Sequence, residues 1–112
     1  MTPKMEMQSM EVLRSLRGQA FDIAFMSQMI AHHQGAIDMA QQALSVARRP
    51  DTRKDAEKVI AAQTEEIRQM TVWLRDWYGV EPSAEQQQIM RQDMQKMMSM
   101  PVTSDEMFYR MM

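Results

Sequence analysis

Two long stretches of helical periodicity, about residues 20–48 and 52–78, meet at a single break around Pro50. Helices of that length joined by so few residues must fold back on one another, antiparallel, as in a helical bundle. The rest of the chain obeys the same grammar. Only three glycines and four prolines punctuate the 112 residues. Gly18 precedes the first long stretch, Gly79 and Pro82 close the second, and Pro101 marks a last break. Between the breaks apolar residues recur at helical spacing, and no segment alternates as a strand would. Helices are therefore expected at about 4–17, 20–48, 52–78 and 84–99, with a further start near 104. Ser83 with Gln86, and Thr103 with Glu106, have capping-box spacing, and Asp51 or Thr52 is placed to cap the second long helix. The fold class is all-α, and residues 1–112 read as one helical domain.

Charge and composition remove several function classes. Thirteen basic against fifteen acidic side chains leave a formal charge of −2, too acidic and too even for an electrostatic nucleic-acid binder. No apolar run approaches the ~18 residues of a membrane span, and the mean hydropathy is −0.50. The first twenty residues lack the apolar core of a signal peptide, so any export signal has been removed or was never present. The absence of cysteine excludes disulfides, thiolate metal sites and thiol redox chemistry. Methionine, by contrast, occupies 16 of 112 positions, far above ordinary usage.

The informative segment is Phe21 to Ala40, which holds both histidines of the chain, adjacent, in the middle of the first long helix. At about 100° per residue, Asp22, Phe25, Met26, His32, His33, Ala36, Met39, Ala40 and Ala43 fall within about 80° of Met29. Ser27 and Asp38 lie at the back, toward solvent. Met29 stands one turn from both His32 and His33. The alanines and Gly35 leave room for a partner helix or an ion. On the second long helix Gln63 and Glu66 are embedded in an apolar stripe, with Met70 one turn beyond. His32 lies about 18 residues before the break, and Glu66 to Met70 about 16 to 20 after it. At about 1.5 Å per residue they should face each other, and a buried carboxylate there needs a partner. Trp73 and Trp77, one turn apart, are expected to close the core.

Thioether sulfur selects Cu(I) or its congener Ag(I), and imidazole suits copper in both oxidation states, so Cu(II) stays open as well. Two adjacent histidines on one helix are a poor start for tetrahedral zinc. Their rings splay by about 100°, so they serve different ions, or one ligates while the other orients. A di-iron bundle site would need E-x-x-H on two helices, and Met29 and Ile30 stand where those glutamates would be. The metal candidates are thus Met29, His32, His33, Met39, Met26, Met70 and Glu66, the last more readily as a hydrogen-bond partner of a ligand than as a ligand. The competing account of this face is a satisfied core. For Met90, Met94, Met97, Met98 and Met100 the core account is preferred over a Cu(I) relay, since methionine fills irregular gaps; Met5, Met7 and Met10 are read in the same way.

One pattern recurs. Asp22, Phe25 and Met29 form D-x-x-F-x-x-x-M, and Asp105, Phe108 and Met112 repeat it. It suggests that a second copy of the long helix begins near 105 and that the chain is a fragment of a two-repeat protein. A helix of under three turns there is too short to be stable alone. If half a repeat is missing, the long hairpin keeps an uncovered apolar face, and a homodimer about a two-fold axis would bury it.

The stretch Phe25, Met29, Ile30, His32, His33, Ala36, Ile37, Met39 and Ala40 resembles the signature of domain-of-unknown-function family 305. Gln63, Glu66, Ile67, Met70, Trp73 and Leu74 are similar to that family's second motif. The resemblance implies a ferritin-like helical bundle, exported to the periplasm or secreted, in a family where some members bind copper or silver. It implies metal roles for Met29, His32, His33, Met39 and Met70. The leading expectation is sequestration of copper or silver without turnover. The alternatives are a ferritin-like iron or manganese redox enzyme, and a structural or partner-binding bundle without metal.

Overall fold

In a computed structural model, which describes residues 8–97 and 102–111, five helices follow in order. They are α1 (Gln8–Arg14), α2 (Gly18–Val46), α3 (Pro50–Tyr78), α4 (Ala84–Met97) and α5 (Asp105–Met111). No strand occurs among the described residues. The breaks fall where the sequence places them. Gly18 opens α2 at φ +59 and Gly79 closes α3 at φ +65, both in the left-handed region that glycine enters without a Cβ penalty. At Gly79 the amide bonds to the Arg75 carbonyl, the 5→1 bond of an αL cap, and the Val80 amide bonds to the Leu74 carbonyl. Pro50 takes the first turn of α3, where its missing N–H costs nothing.

The caps correct two expectations. Ser83 Oγ accepts the Gln86 amide at 3.2 Å, as its spacing requires. At α5 the cap is Ser104, whose Oγ accepts the Met107 amide at 3.2 Å, while the Thr103 hydroxyl turns to the Met107 sulfur. Neither Asp51 nor Thr52 caps α3. The two amides just before it are served from another segment: Asp105 accepts the Arg48 and Arg49 N–H groups at 3.0 and 3.1 Å. The Arg48 bond leads the effects that hold the Asp105 carboxyl below the ordinary aspartate value. α1 begins at Gln8 and ends at Arg14, three residues short of the expected end; its expected start at residue 4 lies outside the described residues.

α2 and α3 form the expected antiparallel hairpin. Around it the helices make an open layer rather than a closed cylinder. α2 touches every other helix, α3 lies on one flank and α4 on the other, and those two hardly meet. The molecule measures 45 × 43 × 16 Å with a radius of gyration of 15.7 Å, against about 13 Å for a compact domain of this length. Ser27, expected at the solvent side, is fully buried because α4 covers that face. Its Oγ accepts the Ser83 amide at 2.9 Å. Gln28, also fully buried, donates to the Ser9 carbonyl and to Gln86 Oε1. Gly35 lets α4 approach: a Cβ there would lie 1.9 Å from the Met94 methyl, so the space left by that glycine is filled by a neighbouring helix. Asp93 on α4, 1 % exposed, holds α1 by accepting the Gln8 and Ser9 amides at 3.2 and 2.7 Å.

The core divides in two. The upper cluster joins Met26, Ile30, Met70 and Leu74, with Ile23, Met29, Ile67, Trp73, Tyr78 and Val80 packed on it. The lower one, near the hairpin turn, joins Met39, Ala40, Ala43 and Ala56 to Val102 and Phe108 of the C-terminal segment.

Candidate metal centre

His33 stands at the α2–α3 seam, with a side chain 17 % exposed. One turn earlier the Met29 carbonyl, 2.7 Å from Nδ1, takes the proton that this nitrogen carries. That bond fixes the tautomer: with Nδ1 as donor, the lone pair of a neutral ring sits on Nε2. Nε2 in turn lies 2.7 Å from Glu66 Oε1 across the seam. The heights inferred from the break at Pro50 are therefore right to within a turn. The expected burial is not. The Glu66 side chain is 56 % exposed, because the layer leaves this side of the seam open.

The thioethers separate into two places. Met26 and Met70, 8 % exposed each, pack in the upper cluster, with half-buried Met29 against them. Met29 is common to both parts of the site: its carbonyl orients His33, and its side chain joins the sulfur-bearing cluster. Met39 packs instead in the lower cluster with Phe108, so the fold does not bring it to the other candidates. His32 is exposed. Its ring centroid lies 6.4 Å from that of His33 at an interplanar angle of 67°, and among the described residues nothing hydrogen-bonds to it. The two imidazoles are thus unequal: His33 is pinned at both nitrogens and His32 is free. Asp22, on the same stripe, accepts the Tyr78 hydroxyl, a bond that raises the phenol above its usual value.

The remaining methionines and tryptophans fall as follows. Met90 is buried and half-buried Met94 fills the Gly35 notch, which is the core role expected of them. Met10 is 50 % exposed. Met5, Met7, Met98, Met100, Met112 and the side chain of Met97 lie outside the described residues. Trp73 stacks on Trp77 at 5.2 Å, yet Trp77 is 60 % exposed, so the pair does not close the core as expected. The sequence missed the Met29 carbonyl, since a backbone acceptor leaves no mark in residue type; only the i−4 relation of Met29 to His33 hinted at it.

The model of a family described as a domain of unknown function, DUF305, matches residues 1–74 and again residues 45–112. The chain belongs to DUF305. No curated protein and no solved structure matches it. The two family matches overlap on α3, the helix that carries Glu66 to the His33 seam and Met70 to the upper cluster.

Proposed function

We propose that this protein binds and sequesters a soft monovalent ion, Cu(I) first and Ag(I) as its congener, with His33, Met29, Met26 and Met70 as donors and without turnover. The observation that supports it is the double use of Met29, which fixes the His33 tautomer through its carbonyl and packs its thioether with Met26 and Met70. Imidazole with several thioethers is a donor set for a soft ion, and neither ligand type carries a charge that the ion must neutralise. Glu66 lies against His33 Nε2, the ring nitrogen that the Met29 carbonyl leaves for an ion. Among the described residues no three histidine, aspartate or glutamate side chains gather in one place, so the donors favour a soft ion over iron or manganese. Cysteine is absent and thioethers take its place, which suits an oxidising compartment, the periplasm or the cell exterior.

Anaerobic titration with Cu(I) against a competing chelator tests the reading. Met29→Leu and His33→Ala should each lower affinity at least ten-fold while circular dichroism keeps the helical signal. Unchanged affinity in both variants would overturn it.

A further inference from the structure

The register of the hairpin decides what stands beside the thioethers. His33 meets Glu66 across the seam, and about three turns higher Asp22 meets Tyr78. Between these two bonds the same antiparallel alignment sets Met29 level with Met70, and Met26 level with Trp73. All four belong to the upper cluster or pack on it. The order along the seam is therefore an imidazole, two thioethers, and then a third thioether beside an indole.

Trp73 is not an ordinary core ring. It is half-buried, and Trp77 stacks on it with centroids 5.2 Å apart and planes 11° from parallel. Trp77 is 60 % exposed, so it covers one face of the Trp73 ring and leaves the other face and the edges for the cluster. Tyr78, the other ring packed on the cluster, stands edge-on to Trp77 at 89°. Its hydroxyl is on Asp22, about one turn above Met26.

A monovalent ion among these groups would keep its charge. Thioethers and a neutral imidazole donate electron pairs without neutralising it, and Ile30, Ile67 and Leu74 around them are apolar. An uncompensated charge is costly to bury. Glu66 lies at the open end of the seam, 56 % exposed, and Asp22 beyond the other end is engaged by the Tyr78 hydroxyl. The face of an indole carries negative potential and attracts a cation within about 6 Å of the ring centroid. We infer that Trp73 is the fifth member of the site: its π face caps the bound ion, and Trp77 holds the ring in place from the water side. The cap rests on the soft-ion reading above and deepens it, since it selects for a cation where the other donors are neutral. It also gives a role to a tryptophan that the core leaves exposed.

Fluorination changes the electronics of the ring while hardly altering its shape. The full chain, which has two tryptophans, is produced with ordinary, monofluoro-, difluoro- and trifluorotryptophan and titrated with Ag(I) against a competing chelator. The nitrogen chemical shifts of His33 are followed in the same samples. Affinity should fall with each added fluorine, by about three- to thirty-fold over the series, while the helical circular dichroism stays constant. In Trp73→Phe, whose one remaining indole is Trp77, the same series should be flat. A flat series in the full chain, or an equal slope in Trp73→Phe, would overturn the cap; stoichiometric binding with a shifted His33 resonance would then leave the soft-ion site standing. Absence of stoichiometric Ag(I) binding and of any His33 shift would overturn both.

Discussion

His33 Nε2 and Glu66 Oε1 meet at 2.7 Å across two helices joined only by residues 47–49. The contact fixes the vertical register of α2 on α3, yet half-exposed ion pairs stabilise little, about 0–1 kcal/mol. Glu66→Ala should therefore change urea-unfolding stability by less than about 1 kcal/mol. Nitrogen NMR of the imidazole should still show the proton on Nδ1 in the neutral ring, because the Met29 carbonyl holds it there. A Nε2–H tautomer in the variant would mean that Glu66, not Met29, orients the ring.

The lower cluster depends on Phe108, which is completely buried. Phe108→Ala should cost about 3–5 kcal/mol and release α5 from the hairpin turn. The His33–Glu66 seam lies in the other half of the molecule and should persist. Proton exchange at the Arg48 and Arg49 amides, which Asp105 protects, is the direct readout; protection retained in Phe108→Ala would show that Asp105 alone anchors the helix.

Gly35 and Met94 should prove coupled. Gly35→Ala gains about 1 kcal/mol of helix propensity but drives a methyl group onto the Met94 terminus. Overpacking of this kind costs about 1–3 kcal/mol, so the single variant should be neutral to destabilising. In a Met94→Ala background the same change should be stabilising. A double-mutant cycle reads the difference directly, and additive effects would deny the contact.

Asp93 should make the docking of α1 acid-sensitive. Burial pushes its carboxyl up, and the hydrogen bonds from Ser9 and Gln8 more than reverse that, so it lies below the ordinary aspartate value. A depressed native value adds stability above the unfolded value of about 3.9 and loses it as pH falls through the native one. The Gln8 and Ser9 amides should thus stay protected at neutral pH and lose protection only in strong acid. Asp93→Ala, which removes two charge-assisted bonds, should cost about 2–3 kcal/mol and abolish that pH dependence. A variant with wild-type protection would show that α1 is held by packing alone.

Much of the fold is legible in the sequence because its punctuation is local. Pro50, Gly79 and the Ser83 cap act within a turn of where they stand, and the short Pro50 connection leaves one antiparallel register for His33 and Glu66. What sequence periodicity could not supply is the neighbour of each face. Ser27 looks like a solvent position when α2 is read alone, but it and its neighbour Gln28 find their partners, Ser83, Ser9 and Gln86, in segments 19 to 58 residues away. The same limit misplaced Trp77: an aromatic at helical spacing marks an apolar stripe, not what covers it. Met39 was grouped with the histidines by angle alone, and its height on α2 assigns it to Phe108 instead.

That α2 touches all four other helices has a consequence for the order of assembly. The α2–α3 hairpin is closed by a loop of three residues between Val46 and Pro50, so its two long helices pair at little entropic cost. Nothing else can dock before α2 is formed, since α4 seats on Gly35 and α5 on Ala40 and Ala43. The folding nucleus should therefore be the hairpin, with α4 added next and α1 arriving last on Asp93, and unfolding should peel the helices away in the reverse sequence.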